Sequence, residues 1–120
     1  VGQSASQAAA FYKDVARSGT LWTCRDDQGA PAPLKSDGRR AMPFWSTRSR
    51  VEKIIKMVPA YSIFTPLELT WDEFVSDWAP GLNKDEILIG INWSGANATG
   101  YDLEADDVIA NVSYQRSSNT

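Results

Sequence analysis

The 120-residue sequence has no histidine and a single cysteine, Cys24. Without histidine there is no Ser-His or Cys-His nucleophile pair, and the side chain that most often shuttles protons near neutral pH or ligates a transition metal is missing. A zinc site would have to be assembled from carboxylates, so neither metal nor cofactor is expected. A lone thiol cannot close an internal disulfide, which points to a reducing cytoplasm. The P-loop and G-x-G-x-x-G patterns are absent, and with them the familiar phosphate-cradling loops. No apolar run approaches the roughly 18 to 20 residues that cross a bilayer, and VGQSASQAAAFYKDV has neither the basic start nor the long apolar middle of an export signal. A membrane is therefore not an expected partner, and the N-x-S/T triplets at Asn92, Asn97 and Asn111 read as chance. Internal repeats and low-complexity tracts are also missing.

What is present suits a folded domain. A 13.2 kDa chain that is 42% hydrophobic and carries five Trp, four Tyr and four Phe can bury one core, so a single domain over residues 1–120 is expected, with 1–5 and 116–120 fraying. The net charge of −3 conceals a split: residues 1–57 hold ten Lys/Arg against five Asp/Glu, or +5, whereas residues 58–120 hold two against ten, or −8. Such a division either marks a charged partner or lets the fold compensate its own charges.

Apolar residues recur at i, i+3, i+4 and i+7 in four places, the spacing of one buried helix face. The sets are Ala8, Phe11, Tyr12, Val15; Val51, Ile54, Ile55, Val58; Trp71, Phe74, Val75, Trp78; and Ala105, Val108, Ile109, Val112. Ser18-Gly19 can close the first helix and Ser46 can cap the second. Thr70-Trp71-Asp72-Glu73 reads as a capping box at the start of the third, and Pro80-Gly81 as its stop. Strands are expected at residues 21–25, 41–45, 62–69 and 86–93. The first two suggest a hairpin with an irregular, proline-bearing linker; Pro66 makes the third an edge or bulged strand; the near-continuous apolar run EILIGINW fits a central one. SGANATG, residues 94–100, reads as a loop. The order α-β-β-α-β-α-β-α without repeated βαβ units implies an α+β fold, with a single small mixed or antiparallel sheet packed by about four helices.

Chemistry-bearing residues are few. Cys24 alternates onto the same strand face as Trp22 and reads as a small buried side chain. Asp26-Asp27, Asp72-Glu73 and Asp106-Asp107 adjoin turns or helix starts, where acids are expected without catalysis. The strongest lead is basic: Lys35, Arg39, Arg40, Arg48, Arg50, Lys53 and Lys56 put seven of twelve cations within 22 residues. Lys53 and Lys56 should face water opposite the apolar face of the second helix. The start of that helix, with Ser46, Thr47 and Arg48, could hold a phosphate or carboxylate, with Arg39, Arg40 or Arg50 clamping it. Phe44 and Trp45 are adjacent on a strand and project to opposite faces, so one should enter the core and the other, Trp45 in the candidate surface, lie nearer solvent. Nucleic acid is not favoured, because the chain's pI is near 4.8.

The ordered runs GTLWTCRDDQG, MPFWSTRSRVEKI and LTWDEFVSDWAPGL resemble the bacterial Domain of Unknown Function 2750 family, through Trp22, Asp27, Gly29, Pro43, Trp45, Phe74, Trp78, Pro80 and Leu82. The resemblance covers most of residues 10–112 and implies a small bacterial cytosolic α+β domain without an established activity. The strand-to-helix segment is also similar to that of secretion-regulator and toxin-immunity domains, which act by binding proteins. The missing catalytic machinery and the segregated charge together lead to an expected non-enzymatic interaction or adaptor module, whose partner is another protein or a second copy of the chain. A small-anion or nucleotide-phosphate binder at Ser46–Arg48 is the alternative, and a carboxylate-dependent enzyme a further one.

Overall fold

The structure, a computed structural model, describes residues 3–118. Its elements run α1 (Gln3–Ser18), β1 (Thr20–Arg25), β2 (Ala41–Phe44), α2 (Arg48–Met57), β3 (Thr65–Thr70), α3 (Trp71–Glu73), a π-helical turn (Phe74–Trp78), α4 (Ala79–Lys84), β4 (Leu88–Ser94), β5 (Thr99–Leu103) and α5 (Ala105–Ser118). This is an α+β fold with the anticipated order and one added strand. Residues 1, 2, 119 and 120, part of the ends expected to fray, lie outside the described residues, while 3–5 and 116–118 belong to the terminal turns of α1 and α5.

All four apolar tetrads face inward, fully or partly buried. Gly19 ends α1 in the left-handed conformation at φ 73°, its N–H bonded to the Val15 carbonyl at 2.8 Å. The Thr70 capping box forms as read: Thr70 Oγ1 accepts the Glu73 N–H at 3.0 Å, and Glu73 Oε1 accepts the Thr70 N–H at 2.9 Å. Pro80-Gly81 does not stop that helix. The turn before Pro80 widens, with the Ala79 N–H bonded to Phe74 O and the Ser76 hydroxyl donating to Asp72 O at 2.8 Å, and helical backbone continues to Lys84. Proline lacks the N–H that an interior α-turn would require, and a π turn relocates the defect.

The strands form two ladders rather than one sheet. β1 pairs antiparallel with β3, and β4 lies between β2, parallel, and β5, antiparallel. The expected β1–β2 hairpin shrinks to one antiparallel bridge, in which Trp22 and Trp45 exchange two backbone bonds of 2.7 Å. Pro43 explains the truncation. Alternation from Trp45 directs the backbone of residue 43 toward β1, where proline has no N–H to give, and its carbonyl accepts the Thr23 hydroxyl at 2.8 Å instead. β3 pairs with β1 alone and is the edge strand that Pro66 foretold, although it begins at Thr65; Pro59–Tyr61 is a short 3₁₀ turn. β5 overturns the reading of residues 94–100 as a loop throughout, because Thr99 and Gly100 already pair with or lie alongside β4.

Helices and loops cover both faces of the strands, giving two buried clusters. One gathers α1, α5 and the α3–α4 segment around Phe44, Ile89 and Ile91; the other gathers α2 and Tyr61 around Trp45, Cys24 and Leu88. Phe44 and Trp45 do point to opposite faces, yet both are 0% exposed, so neither lies near solvent. A second covered face was not legible in the alternation itself.

Asn92 breaks the alternation of β4. It adopts φ 46° at a register shift between Ile91 and Ser94, a β-bulge that turns Trp93 away from the side of Ile89 and Ile91 and into the cluster of Leu88 and Trp45. Asn92 is 1% exposed, and its amide is used throughout. Oδ1 accepts the Ser46 N–H at 2.9 Å, and Nδ2 donates to Gln7 O at 3.1 Å and Ser46 Oγ at 3.0 Å. The Asn92→Ala variant strands those partners and also meets the left-handed penalty, so we expect a loss of about 2 to 4 kcal/mol in urea unfolding. Asn92→Gly, relieved of the backbone penalty, should lose about 1 kcal/mol less. Equal losses in the two variants would mean that the left-handed turn costs nothing here.

Candidate functional site

The residues expected to form an anion site are dispersed. Arg39 reaches away from α2 to the far end of β4 and β5, where Nη1 donates to Glu104 Oε1 at 2.8 Å and Nη2 to Glu86 O at 2.9 Å. The Arg39 hydrogen bond holds the Glu104 carboxyl below its ordinary range. Arg40 donates to Ala32 O at 2.9 Å and lines, with Arg39 and Leu34, a hollow of about 420 Å³. Trp45 is fully buried, its Nε1 donating to Trp93 O at 2.9 Å, and offers no surface to a partner.

Ser46 does not cap α2. The helix begins at Arg48, so Thr47 is its N-cap, with Oγ1 accepting the Arg50 N–H at 3.3 Å. Ser46 is 3% exposed, and its hydroxyl donates to Asp14 Oδ2 at 2.7 Å. A carboxylate of the chain itself thus stands at the hydroxyl proposed for an incoming anion, and a second negative group would be repelled there. Asp14 is held in turn by Arg17 at 3.3 Å. Arg48 sits 5.6 Å from the Trp22 ring centroid and donates to Glu52 Oε2 at 3.1 Å, which occupies its guanidinium at the surface.

The remaining candidate, Arg50, belongs to a different and better-formed place. Between α1, α2 and the turn at residues 94–96 lies a groove of about 480 Å³, lined by Gln7, Arg50, Lys53, Ile54, Met57 and Trp93. Residues 50, 53, 54 and 57 share one side of α2 because the helix brings i, i+3, i+4 and i+7 together. The Arg50 guanidinium bonds the neutral Gln7 Oε1. Lys53 is exposed and has no carboxylate partner among the described residues, and Met57 is 64% exposed. Ile54 and Trp93 supply an apolar floor beneath these groups.

Trp93 is fixed in that floor. A methyl group at position 90 would overlap the indole, so the ring lies directly on Gly90, and one at position 100 would come within 3.1 Å of Trp93 Cδ1. The indole Nε1 donates to Asp102 Oδ1 at 2.8 Å, and Lys35 Nζ lies 2.6 Å from Asp102 Oδ2. Sequence reasoning passed over Gln7, Asn92 and Trp93. The available hint was Asn92 itself, a β-disfavoured residue late in an otherwise apolar strand, where a bulge is a natural outcome.

The acids do not share this groove. Asp26 and Asp27 border an open hollow of about 860 Å³ with Arg25 and Ile63, while Asp106 accepts Asn83 Nδ2 at 3.0 Å near the start of α5. Among the described residues, no three His, Cys, Asp or Glu side chains gather closely enough to hold a metal ion.

A family model described as "Protein of unknown function (DUF2750)" matches residues 8–112. The chain belongs to the DUF2750 family. The DUF2750 match takes in α2, β4 and β5 entire, and with them the α2 wall and the floor of the groove, while Gln3 and Gln7, the lining residues of α1, precede it. None of the curated proteins matches the chain.

Cys24 is buried as expected, 0% exposed beside Trp45 and Tyr61. Burial, and secondarily the Asp26 carboxylate, pushes its thiol up from an ordinary 9.0 to about 12. Burial, then Cys24, likewise raises the Tyr61 hydroxyl from 10.0 to about 12. Both groups lose protons more readily in the unfolded chain. Stability should hold below about pH 9 and fall as pH climbs toward 12. The native protein should leave a thiol reagent such as DTNB unreacted at pH 8 and release one equivalent on unfolding in urea; rapid native reaction would contradict the buried thiol.

Proposed function

We propose that the protein is a non-enzymatic interaction module that docks another protein on the groove between α1, α2 and the β4–β5 turn. The observation that carries this reading is the exposed Met57 at the end of α2, set beside a floor of Ile54 and Trp93 and two cations with no carboxylate partner among the described residues. Three other cations of the basic segment are ion-paired, Lys35 with Asp102, Arg39 with Glu104 and Arg48 with Glu52, whereas Arg50 and Lys53 adjoin the apolar floor of the groove. Charged groups left unpaired beside apolar surface are what an incoming partner can use, the first for orientation and the second for affinity.

A rigid floor favours this role. Gly90 and Gly100 give the indole room to lie directly on the strands, and its hydrogen bond to Asp102 fixes the ring edge, so little ordering entropy remains to be lost on docking. The anion-binding alternative keeps the basic residues but not their proposed center, since Asp14 occupies the Ser46 hydroxyl.

A photo-crosslinking amino acid placed at Met57 in cells of the native host should yield a discrete adduct with another protein. The same residue at Tyr114, which is 70% exposed on α5 and lines no part of the groove, should not. Absence of an adduct at Met57, or the same adduct at both positions, would reject this docking face.

A further inference from the structure

The groove has a polarity along its length, and we infer that its occupant is a short acidic protein segment with a carboxylate two or three residues from an apolar side chain. This rests on the docking role proposed above and specifies the partner's chemistry. Arg50 lies in the first turn of α2, Lys53 one turn later and Met57 at the last residue. At 1.5 Å of rise per residue, Arg50 and Met57 are separated by about 10 Å along the axis and Lys53 and Met57 by about 6 Å. An extended chain covers those intervals in about three and two residues.

Three features select a negative group at the Arg50 end. Arg50 and Lys53 have no carboxylate partner among the described residues, and the hydrogen bond from Arg50 to Gln7 is to a neutral oxygen that a carboxylate could displace or join. The positive end of the α2 dipole lies at the same end. Met57, 64% exposed, lies at the opposite end of α2, and the Trp93 indole lines the groove beside a turn whose Gly95 and Ala96 present no bulk. Methionine with an aromatic ring suits an aliphatic or aromatic anchor of variable shape.

The test is selection of a displayed random 12-residue peptide library on the full chain, followed by anisotropy titration of the enriched, labelled peptides. Enriched sequences should carry Asp or Glu two or three positions from an apolar residue. Their affinity should fall at least about tenfold in the Arg50→Ala/Lys53→Ala variant, and fall as salt rises from 0.05 to 0.5 M, on the order expected for unscreened charge pairs. Lys84→Ala, on α4, should leave it unchanged. Ala96→Trp fills the groove and should abolish binding of any occupant, so it separates two failures. Peptides blocked by Ala96→Trp but indifferent to the double variant and to salt would overturn the acidic chemistry and leave the docking face standing. Peptides indifferent to Ala96→Trp, or no enrichment, would overturn both. A single-stranded oligonucleotide that binds with the same variant sensitivity while peptides do not would assign the groove to nucleic acid, and a dimer in sedimentation that Ala96→Trp dissolves would assign it to a second copy; either result overturns the inference.

Discussion

One left-handed residue in the middle of the molecule governs how the two halves of the structure meet. Asn92 inserts a bulge into β4, and the bulge decides which face of the strands receives the next indole. An asparagine fits this position for two separate reasons. It tolerates a positive φ better than most side chains, and its amide can serve an acceptor and a donor role at once. Here those roles tie Ser46, in the link between β2 and α2, to the carbonyl of Gln7 in α1, so that α1, that link and β4 converge on one buried amide. Asp14 extends the network to the surface through the Ser46 hydroxyl. With every member bonded, such a network specifies one relative placement of its elements, whereas apolar packing alone would tolerate several.

Trp93 translates that placement into a surface. Rotated onto the Gly90 side, it accepts the Trp45 indole N–H at its carbonyl and sends its own to Asp102, which joins the residue after β2 to β4 and β5. Charge follows the same logic of mutual satisfaction. The sequence is divided into a basic and an acidic half, but the folded chain brings Lys35 to Asp102 and Arg39 to Glu104, two pairs across the division. Segregation along a chain is therefore a poor guide to polarity in space. On α2, Arg50 and Lys53 line the groove without an ion pair among the described residues, and that local arrangement is more informative than the overall split.

Much of the fold was legible because it depends on periodicity. The four helix faces, the Thr70 capping box, the edge character of the Pro66 strand and the central position of β4 all follow from spacing or from backbone chemistry that a single residue announces. The misreadings have a different origin. Ser46 and Thr47 are equally good caps by type, and only the distant Asn92 and Asp14 decide that Ser46 is engaged elsewhere. Pro80 looks terminal until a π turn absorbs its missing donor. Thr99–Leu103 lacks a run of apolar residues and becomes a strand because β4 offers it an edge. The candidate anion site scattered for the same reason: residues 39, 40 and 50 are near in sequence, but β2 carries the chain across the molecule between them.

The proline in β2 has a wider consequence. By denying β1 a donor at residue 43, it leaves the β1–β3 ribbon fastened to the three-stranded ladder by a single bridge, a threonine hydroxyl and the side chains around them. A continuous five-stranded sheet would transmit strain evenly through its hydrogen bonds. This one has a seam, crossed mainly by tryptophan and cysteine packing, along which the two ribbons can part with the fewest backbone bonds lost, so slow amide exchange should be divided at that line, with each ribbon keeping its own tempo.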